Sequence, residues 1–308
     1  MITVDVHDTS CAICGTEGNA TQLYPANFSS EDFRPEVFSA RRLPDRVHYR
    51  IVRCNQCGLV RSDPVADPAM IAELYQRSTF DYGDELQNLA ITYSTYLKRL
   101  DPYAVGRGEL LEIGCGNGFF LQQARLCGYE SIRGVEPSAA AIQSAPEDIR
   151  SRIVRSTMRP GLFANESFDV ICLFQVLDHI FDPAALLRTC REILKPGGLI
   201  LCLNHNAEAL SARIMKSRSP IIDIEHTYLY DPKTIAELLS QAGFEVKETG
   251  SVRNRYSLGY LIHLVPLPNR LKQRLLKTIT TTAIGRVSFW VPLGNLYAIA
   301  QRPTLRGH

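Results

Sequence analysis

The sequence has no apolar run of membrane-spanning length, no excess of one charge and no even set of cysteines. The first absence excludes a transmembrane helix. The N-terminus, Met1-Ile2-Thr3-Val4-Asp5-Val6-His7-Asp8, lacks a basic segment followed by an apolar core. A secretory leader is therefore not expected, and the expected location is the cytoplasm. Its 34 basic residues stand against 32 acidic ones, a net charge of +2 that does not mark a dedicated nucleic-acid binder. Nine cysteines are an odd number, which argues against a complete disulfide framework. In a reducing compartment most of them are expected as thiols. What is present is ordinary globular composition, 45% hydrophobic over 308 residues, enough for one sizeable α/β domain with additions.

The most informative stretch is Leu110 to Phe120, Leu-Leu-Glu-Ile-Gly-Cys-Gly-Asn-Gly-Phe-Phe. A short apolar run passes through three alternating glycines into a helix-compatible segment, which predicts strand, tight turn and helix start. Without Cβ atoms at Gly114, Gly116 and Gly118, backbone and ligand can approach closely. The helix that follows offers free N–H groups to a carboxylate or phosphate. Dinucleotide folds use a similar device, but with G-x-G-x-x-G spacing. Here the spacing is G-x-G-x-G. Glu112 precedes the first glycine by two, where its carboxylate can face a cationic ligand. Glu136 follows a second apolar strand, Ile132 to Val135, where it can accept both hydroxyls of a ribose. This combination resembles the S-adenosylmethionine site of class I methyltransferases.

Ahead of that stretch lie two C-x-x-C knuckles, Cys11-Ala-Ile-Cys14 and Cys54-Asn-Gln-Cys57, the second followed by Gly58. Each turn lets two thiolates converge, and four make a closed tetrahedral zinc site. A closed site has no open position for catalysis, so its zinc is expected to be structural. Residues 1–62 are read as a zinc-binding lobe, in which Tyr49 to Arg53 alternates like a strand. Residues 63–108 are read as a helical linker and cofactor cover. Asp67 is placed to cap a helix that Pro68 begins, carrying Ile71, Leu74 and Tyr75 on one face. Phe80-Asp81-Tyr82-Gly83 breaks it, and Leu86 to Leu100 continues at helical spacing.

From Glu109 short apolar strands alternate with helical segments, which argues a parallel sheet. The expected strands are Leu110–Ile113, Ile132–Val135, Ile153–Val154, Val170–Phe174 and Leu199–Leu203. Ligands of open α/β sheets bind beyond the carboxyl ends of the strands, so Gln175 points into the crevice. Asp178 and His179 follow a turn later. Leu194-Lys195-Pro196-Gly197-Gly198 reads as a helix end and a sharp turn. Asn204-His205-Asn206 opens a polar loop, and Pro232 to Ala242 reads as a helix closed by Gly243. Phe244–Glu248 and Asn295–Arg302 are the expected sixth and seventh strands, an antiparallel pair. The insert between them, about residues 251–293, mixes apolar faces with Arg270, Lys272, Arg274 and Lys277. It reads as a helical cover, with a membrane-facing or lipid-linked-substrate surface as the sharper alternative.

The resemblance spans most of the chain. Glu112-Ile-Gly-Cys-Gly-Asn-Gly118, Phe168-Asp-Val170, Val176-Leu-Asp-His-Ile180 and Leu194-Lys-Pro-Gly-Gly198 are similar to successive class I methyltransferase motifs. The implied fold is a Rossmann-like seven-stranded α/β sheet over residues 109–308, with the small N-terminal zinc-ribbon lobe and the helical insert before the last strand. The implied cofactor is S-adenosylmethionine, held by Glu112, Gly114, Cys115, Gly116, Gly118, Glu136, Pro137, Met158 and Gln175. With the four N-terminal cysteines the chain resembles a narrower group, which includes the C-methyltransferases of deoxysugar biosynthesis. Asp223-Ile-Glu225-His226-Thr-Tyr228 resembles that group's Glu-His motif, and Phe80-Asp81-Tyr82 falls near its substrate-site tyrosines. The sugar enzymes carry a further C-terminal domain for which this sequence leaves no room.

The expected activity is thus methyl transfer to a small molecule, a sugar, glycan or related natural product, at oxygen or carbon. His226 is the candidate base because imidazole titrates near working pH, with Glu225 to orient it, Tyr82 beside the substrate, and His179 next in line. Arg213, Arg253 and Arg255 are candidates to meet a substrate phosphate or carboxylate. The alternative is an RNA or protein methyltransferase that uses the zinc lobe for recognition.

Overall fold

The computed structural model describes residues 4–35, 37–38, 46–77, 85–103, 106–264, 272–273, 276–277, 279, 285 and 287–304. Alternation of apolar residues begins in the N-terminal lobe, where Ala20–Tyr24 (β1), Ile51–Cys54 (β2) and Val60–Ser62 (β3) form an antiparallel sheet. Two helices follow, Pro68–Arg77 (α1) and Leu86–Leu97 (α2). Asp67 caps the first, its Oδ1 accepting from the N–H groups of Ala69 at 2.8 Å and Met70 at 3.2 Å.

The main sheet then forms from Glu109–Ile113 (β4), Ser131–Glu136 (β5), Ile153–Arg155 (β6), Phe168–Phe174 (β7) and Leu194–His205 (β8). Between them lie helices Phe119–Leu126 (α3), Ala139–Gln143 (α4) and Pro183–Ile193 (α5). After β8 come helix Leu210–Met215 (α6), the short strand Tyr228–Leu229 (β9), helix Pro232–Gln241 (α7), and strands Glu245–Ser251 (β10) and Asn295–Gln301 (β11). The order across the sheet is β10-β11-β8-β7-β4-β5-β6. The five strands from β4 to β8 run parallel, and β11 is antiparallel to both β8 and β10. Strand β8 starts at Leu194, earlier than the sequence suggests, and absorbs Pro196, Gly197 and Gly198 in a register shift before Leu199.

Successive residues of each strand face opposite sides of the sheet. Leu111, Ile113, Ile171 and Leu173 therefore pack against α5 and α7 through Leu187, Ile235 and Leu239. Leu110, Val170, Cys172, Leu201 and Leu203 pack against α2 and α3 through Leu89, Tyr93, Leu97 and Phe120. Both faces are closed, so the strands read as continuous apolar runs. Each such side chain contributes on the order of 1.5–3 kcal/mol of burial. That leaves the carboxyl edge of the sheet as the place where polar groups can gather.

The lobe does not stand apart. β9, from the C-terminal half, pairs antiparallel with β3 and completes the lobe's four-stranded sheet. Ser62 N–H donates to the Thr227 carbonyl at 2.9 Å, and Ser62 Oγ donates to the His226 carbonyl at 2.7 Å. The expected boundary at residue 62 thus falls inside a shared sheet. The insert also has more order than a helical cover: Asn254–Ser257 pairs antiparallel with Ser288–Val291, and helix Leu258–Leu264 (α8) follows the first of these strands. Arg270 and Arg274 lie outside the described residues. Among the described residues no helix is long and apolar enough to cross a membrane.

Gly118 joins the glycine turn to α3 at φ +71°, where a Cβ would run into Ile149 Cγ2. Left-handed backbone costs an L-residue roughly 1–2 kcal/mol, and overpacking adds about 1–3 kcal/mol. Gly118→Ala is therefore expected to lose at least about 2 kcal/mol of stability in urea unfolding, at an unchanged slope.

Candidate active site

The glycine turn positions the first wall of the site. Gly114 and Gly116 have φ of +73° and +54°, and a Cβ on Gly114 would lie 2.7 Å from Val176 Cγ2. Two N–H groups, of Gly116 at 2.9 Å and Ser138 at 2.8 Å, donate to the two oxygens of Glu136. They clamp a carboxylate that ends β5 and is only 8% exposed. Burial raises the Glu136 pKa, and those two donors pull it back. Glu112 is more deeply set, 2% exposed, and its Oε2 has no hydrogen-bond partner among the described residues. Burial, with the Glu136 charge behind it, pushes the Glu112 carboxyl well above its ordinary range. Gln175, just past β7, adopts φ +57° and also holds a buried, unpartnered Oε1.

A cavity of about 1300 Å³ lies over this edge. A single ligand pocket is typically about 300–1,000 Å³, so there is room for a cofactor and a second molecule. Gly114, Gly116, Glu136, Pro137, Met158 and Gln175 line it. Glu112, Cys115 and Gly118, expected beside them, sit one layer behind and are absent from its surface. The opposite wall is the N-terminal lobe and α1, through Phe38, Tyr49, Val65, Ala66, Ile71 and Tyr75. The insert contributes Tyr256 and Tyr260. Tyr82 lies outside the described residues. Arg213 and Arg253 are exposed, Arg255 is half-buried, and none of the three lines the cavity.

Three histidines meet in the cavity wall. The ring of His226 lies 4.8 Å from that of His179 and 4.5 Å from that of His205, centroid to centroid. His226 is 6% exposed, and its Nδ1 is 2.9 Å from the Ile221 carbonyl oxygen. That oxygen can only accept, so Nδ1 carries the hydrogen. His179 Nδ1 is 2.8 Å from the Tyr75 hydroxyl and 3.1 Å from the Glu225 carbonyl. Burial lowers the His179 pKa, which keeps that ring neutral, although Asp178 acts in the opposite sense. His205 Nδ1 lies 2.6 Å from Asp178 Oδ2. Asp178 is fully buried and is also held by the Asn204 side-chain amide and the His205 N–H. Glu225 lines the cavity beside His226.

Sequence reasoning passed over His205 and Tyr75. The first stood in a polar loop and the second on a packing face. The available signal for His205 was its place at the carboxyl end of the strand next to the one that ends at Gln175.

Away from the cavity the four N-terminal thiols come together, Cys11 to Cys57 at 3.3 Å and Cys14 to Cys54 at 3.5 Å. All four sulfur atoms lie within 4.8 Å of one another. Burial pushes the Cys54 thiol up, but the N–H groups of Cys57 and Gln56 with Thr16 and Cys14 outweigh it and bring it to about 6. All nine cysteines are free thiols.

The buried Glu112 carboxyl fixes a pH dependence. Its folded pKa lies above the unfolded value of 4.5, so the stability of the protonated form is full below that pH and declines as pH rises through the folded value. Glu112→Gln stays neutral and escapes the decline. Its stability relative to the wild type is expected to climb from about pH 4.5 upward, by about 1.4 kcal/mol per pH unit between the two values, and its melting temperature to rise with it. A flat difference across thermal scans at several pH values would remove the buried carboxyl from the account.

A methyltransferase domain model matches residues 86–249. A ubiquinone biosynthesis O-methyltransferase of Dinoroseobacter shibae is 29% identical over 184 residues, 56% of this chain and 73% of that protein. Its counterpart from Cereibacter sphaeroides is 30% identical over 162 residues, 48% of this chain and 65% of that one. Among solved structures, a SAM-dependent methyltransferase from Archaeoglobus fulgidus aligns with 76% of this chain and 100% of its own, at 20% identity and a TM-score of 0.47. The matched segment begins with α2, contains the glycine turn, Glu136 and the histidine cluster, and runs into β10. By that match the chain belongs to the methyltransferase domain family and is an S-adenosylmethionine-dependent methyltransferase.

Proposed function

We propose that the protein methylates a hydroxyl of a small molecule, a sugar, glycan or related natural product, bound between the carboxyl edge of the sheet and the N-terminal lobe. The observation that carries this reading is one continuous cavity that runs from the glycine turn to three histidines. The O-methyltransferase names of the relatives agree with a hydroxyl acceptor. Because the lobe walls the cavity itself, through Phe38, Tyr49 and Val65, it is read as part of the small-molecule site, not as a docking module for RNA or protein.

The cofactor supplies an electrophilic methyl on a sulfonium. In this reading the Gly114–Gly116 backbone, Pro137, Met158 and Gln175 hold it. Each oxygen of Glu136 accepts one N–H and keeps capacity for a ribose hydroxyl. The buried carboxylate of Glu136 favours a cation at this edge. His226 meets the acceptor hydroxyl with the nitrogen opposite its carbonyl-bound Nδ1, and Glu225 borders the same space. The four N-terminal thiols hold one structural zinc. A tetrahedron with 2.3 Å arms has edges of about 3.8 Å, close to the observed sulfur spacing.

The function is tested by incubating the protein with methyl-labelled S-adenosylmethionine and a metabolite extract, with RNA and protein in parallel. Label in a low-mass, hydroxyl-bearing product supports the reading, and label only in RNA or protein overturns it. Glu136→Ala is expected to weaken S-adenosylmethionine at least tenfold in calorimetry, since a hydrogen bond to a charged acceptor contributes roughly 1.5–3 kcal/mol. His226→Ala is expected to lower turnover about 10- to 100-fold at unchanged cofactor affinity, the loss of one such bond in the transition state. Elemental analysis is expected to find one zinc per chain. Cys54→Ser is expected to lose it and to melt lower, with the cofactor site partly retained.

A further inference from the structure

His205 Nδ1 lies 2.6 Å from the buried Asp178 carboxylate, and the proposed reaction has so far given it no part. We infer that His205 is the general base that takes the acceptor's proton, and that Asp178 is the residue that positions it. The inference rests on the methyl transfer to a hydroxyl proposed above.

Position comes first. Phe174 and Leu203 are register partners on the neighbouring strands β7 and β8. One residue beyond the first comes Gln175, on the cofactor side of the cavity; two beyond the second comes His205. The Gln175 N–H donates to the Leu203 carbonyl at 2.7 Å, which ties the two strand ends together. His205 is thus the histidine fixed to the sheet edge itself, whereas His226 stands on the loop before β9. Both line the cavity.

Chemistry comes second. A carboxylate only accepts, so the 2.6 Å contact with Asp178 Oδ2 puts the hydrogen on His205 Nδ1. Nε2 is left with its lone pair, and no group among the described residues hydrogen-bonds to it. The His205 side chain is 22% exposed, so that lone pair is reachable from the cavity, while Asp178 is shut away at 0%. When the ring gains a proton, the positive charge forms against a buried carboxylate. Charge at His179 is opposed by burial.

The step balances as follows. The acceptor oxygen forms a bond to the methyl carbon. The carbon–sulfur bond breaks with its electron pair going to sulfur, which becomes a neutral thioether. The O–H bond breaks and its proton moves to His205 Nε2, giving an imidazolium beside Asp178.

The test uses the full chain and the labelled acceptor found in the metabolite assay. His205→Ala is expected to lower kcat by roughly 10²–10⁴, with KM and cofactor affinity within a few-fold of the wild type. Added imidazole is expected to restore a measurable part of that turnover, which a structural role would not permit. Asp178→Asn keeps the shape of the site and is expected to lower kcat in the same direction, and the double variant should add little to His205→Ala. Calorimetric binding of S-adenosylmethionine to each variant controls for folding. Full turnover in His205→Ala overturns the inference while leaving methyl transfer intact. So does a larger loss in His226→Ala than in His205→Ala. If elemental analysis shows a second metal that departs with His205, the cluster is a metal site and the inference is also overturned. A wild-type chain that methylates no small molecule removes the underlying reading instead, before any variant is made.

Discussion

Three buried carboxylates gather at the carboxyl edge of one parallel sheet, Glu112, Glu136 and Asp178, and among the described residues none pairs with lysine or arginine. Burying negative charge without a cation is costly, and the structure meets the cost differently at each site. Glu112 holds its proton, pushed there by burial. Glu136 borrows two backbone N–H groups from the glycine turn and the α4 cap. Asp178 takes an amide, a backbone N–H and an imidazole. Such an edge is electrostatically suited to a sulfonium ligand on one side and to a histidine that becomes cationic on the other.

The rest of the fold keeps that edge in place. Both faces of the sheet are covered by apolar helices, so the strand ends and the turns after them are where polar side chains can collect. The glycine turn needs left-handed backbone at Gly114, Gly116 and Gly118, which lets the chain double back over Glu136. The lobe closes the far wall, and it is fastened there by β9 and by the Ser62 bonds to residues 226 and 227. A lobe anchored at the histidine loop ties any movement of the wall to the position of His226.

Much of this was legible from residue order alone. Apolar runs of five to seven residues ending in Gly or polar turns specify strands, and the five parallel ones fall where the pattern puts them. Asp67-Pro68 and Asp231-Pro232 mark helix starts because an acceptor side chain followed by a fixed φ suits only that place. The paired C-x-x-C knuckles require no knowledge of the fold, since each turn geometry brings its own two sulfurs together. The strand pair inside the insert was not legible, because Asn254–Ser257 and Ser288–Val291 are too short and too far apart for a local signal.

The sequence by itself determined the sheet, the glycine turn with its following carboxylate and the four-thiol cluster, because each depends on neighbours in the chain or on a short fixed spacing. Only the tertiary structure decided which polar groups meet. It buried Glu112 behind the cavity, where its place two residues before Gly114 had set it facing the ligand. It also made the lobe a wall of the cavity and joined Tyr75, Asp178, His179, His205 and His226, which span more than 150 positions, into one site. Such meetings depend on how helices and loops pack across the end of the sheet, and no local pattern of residues encodes that.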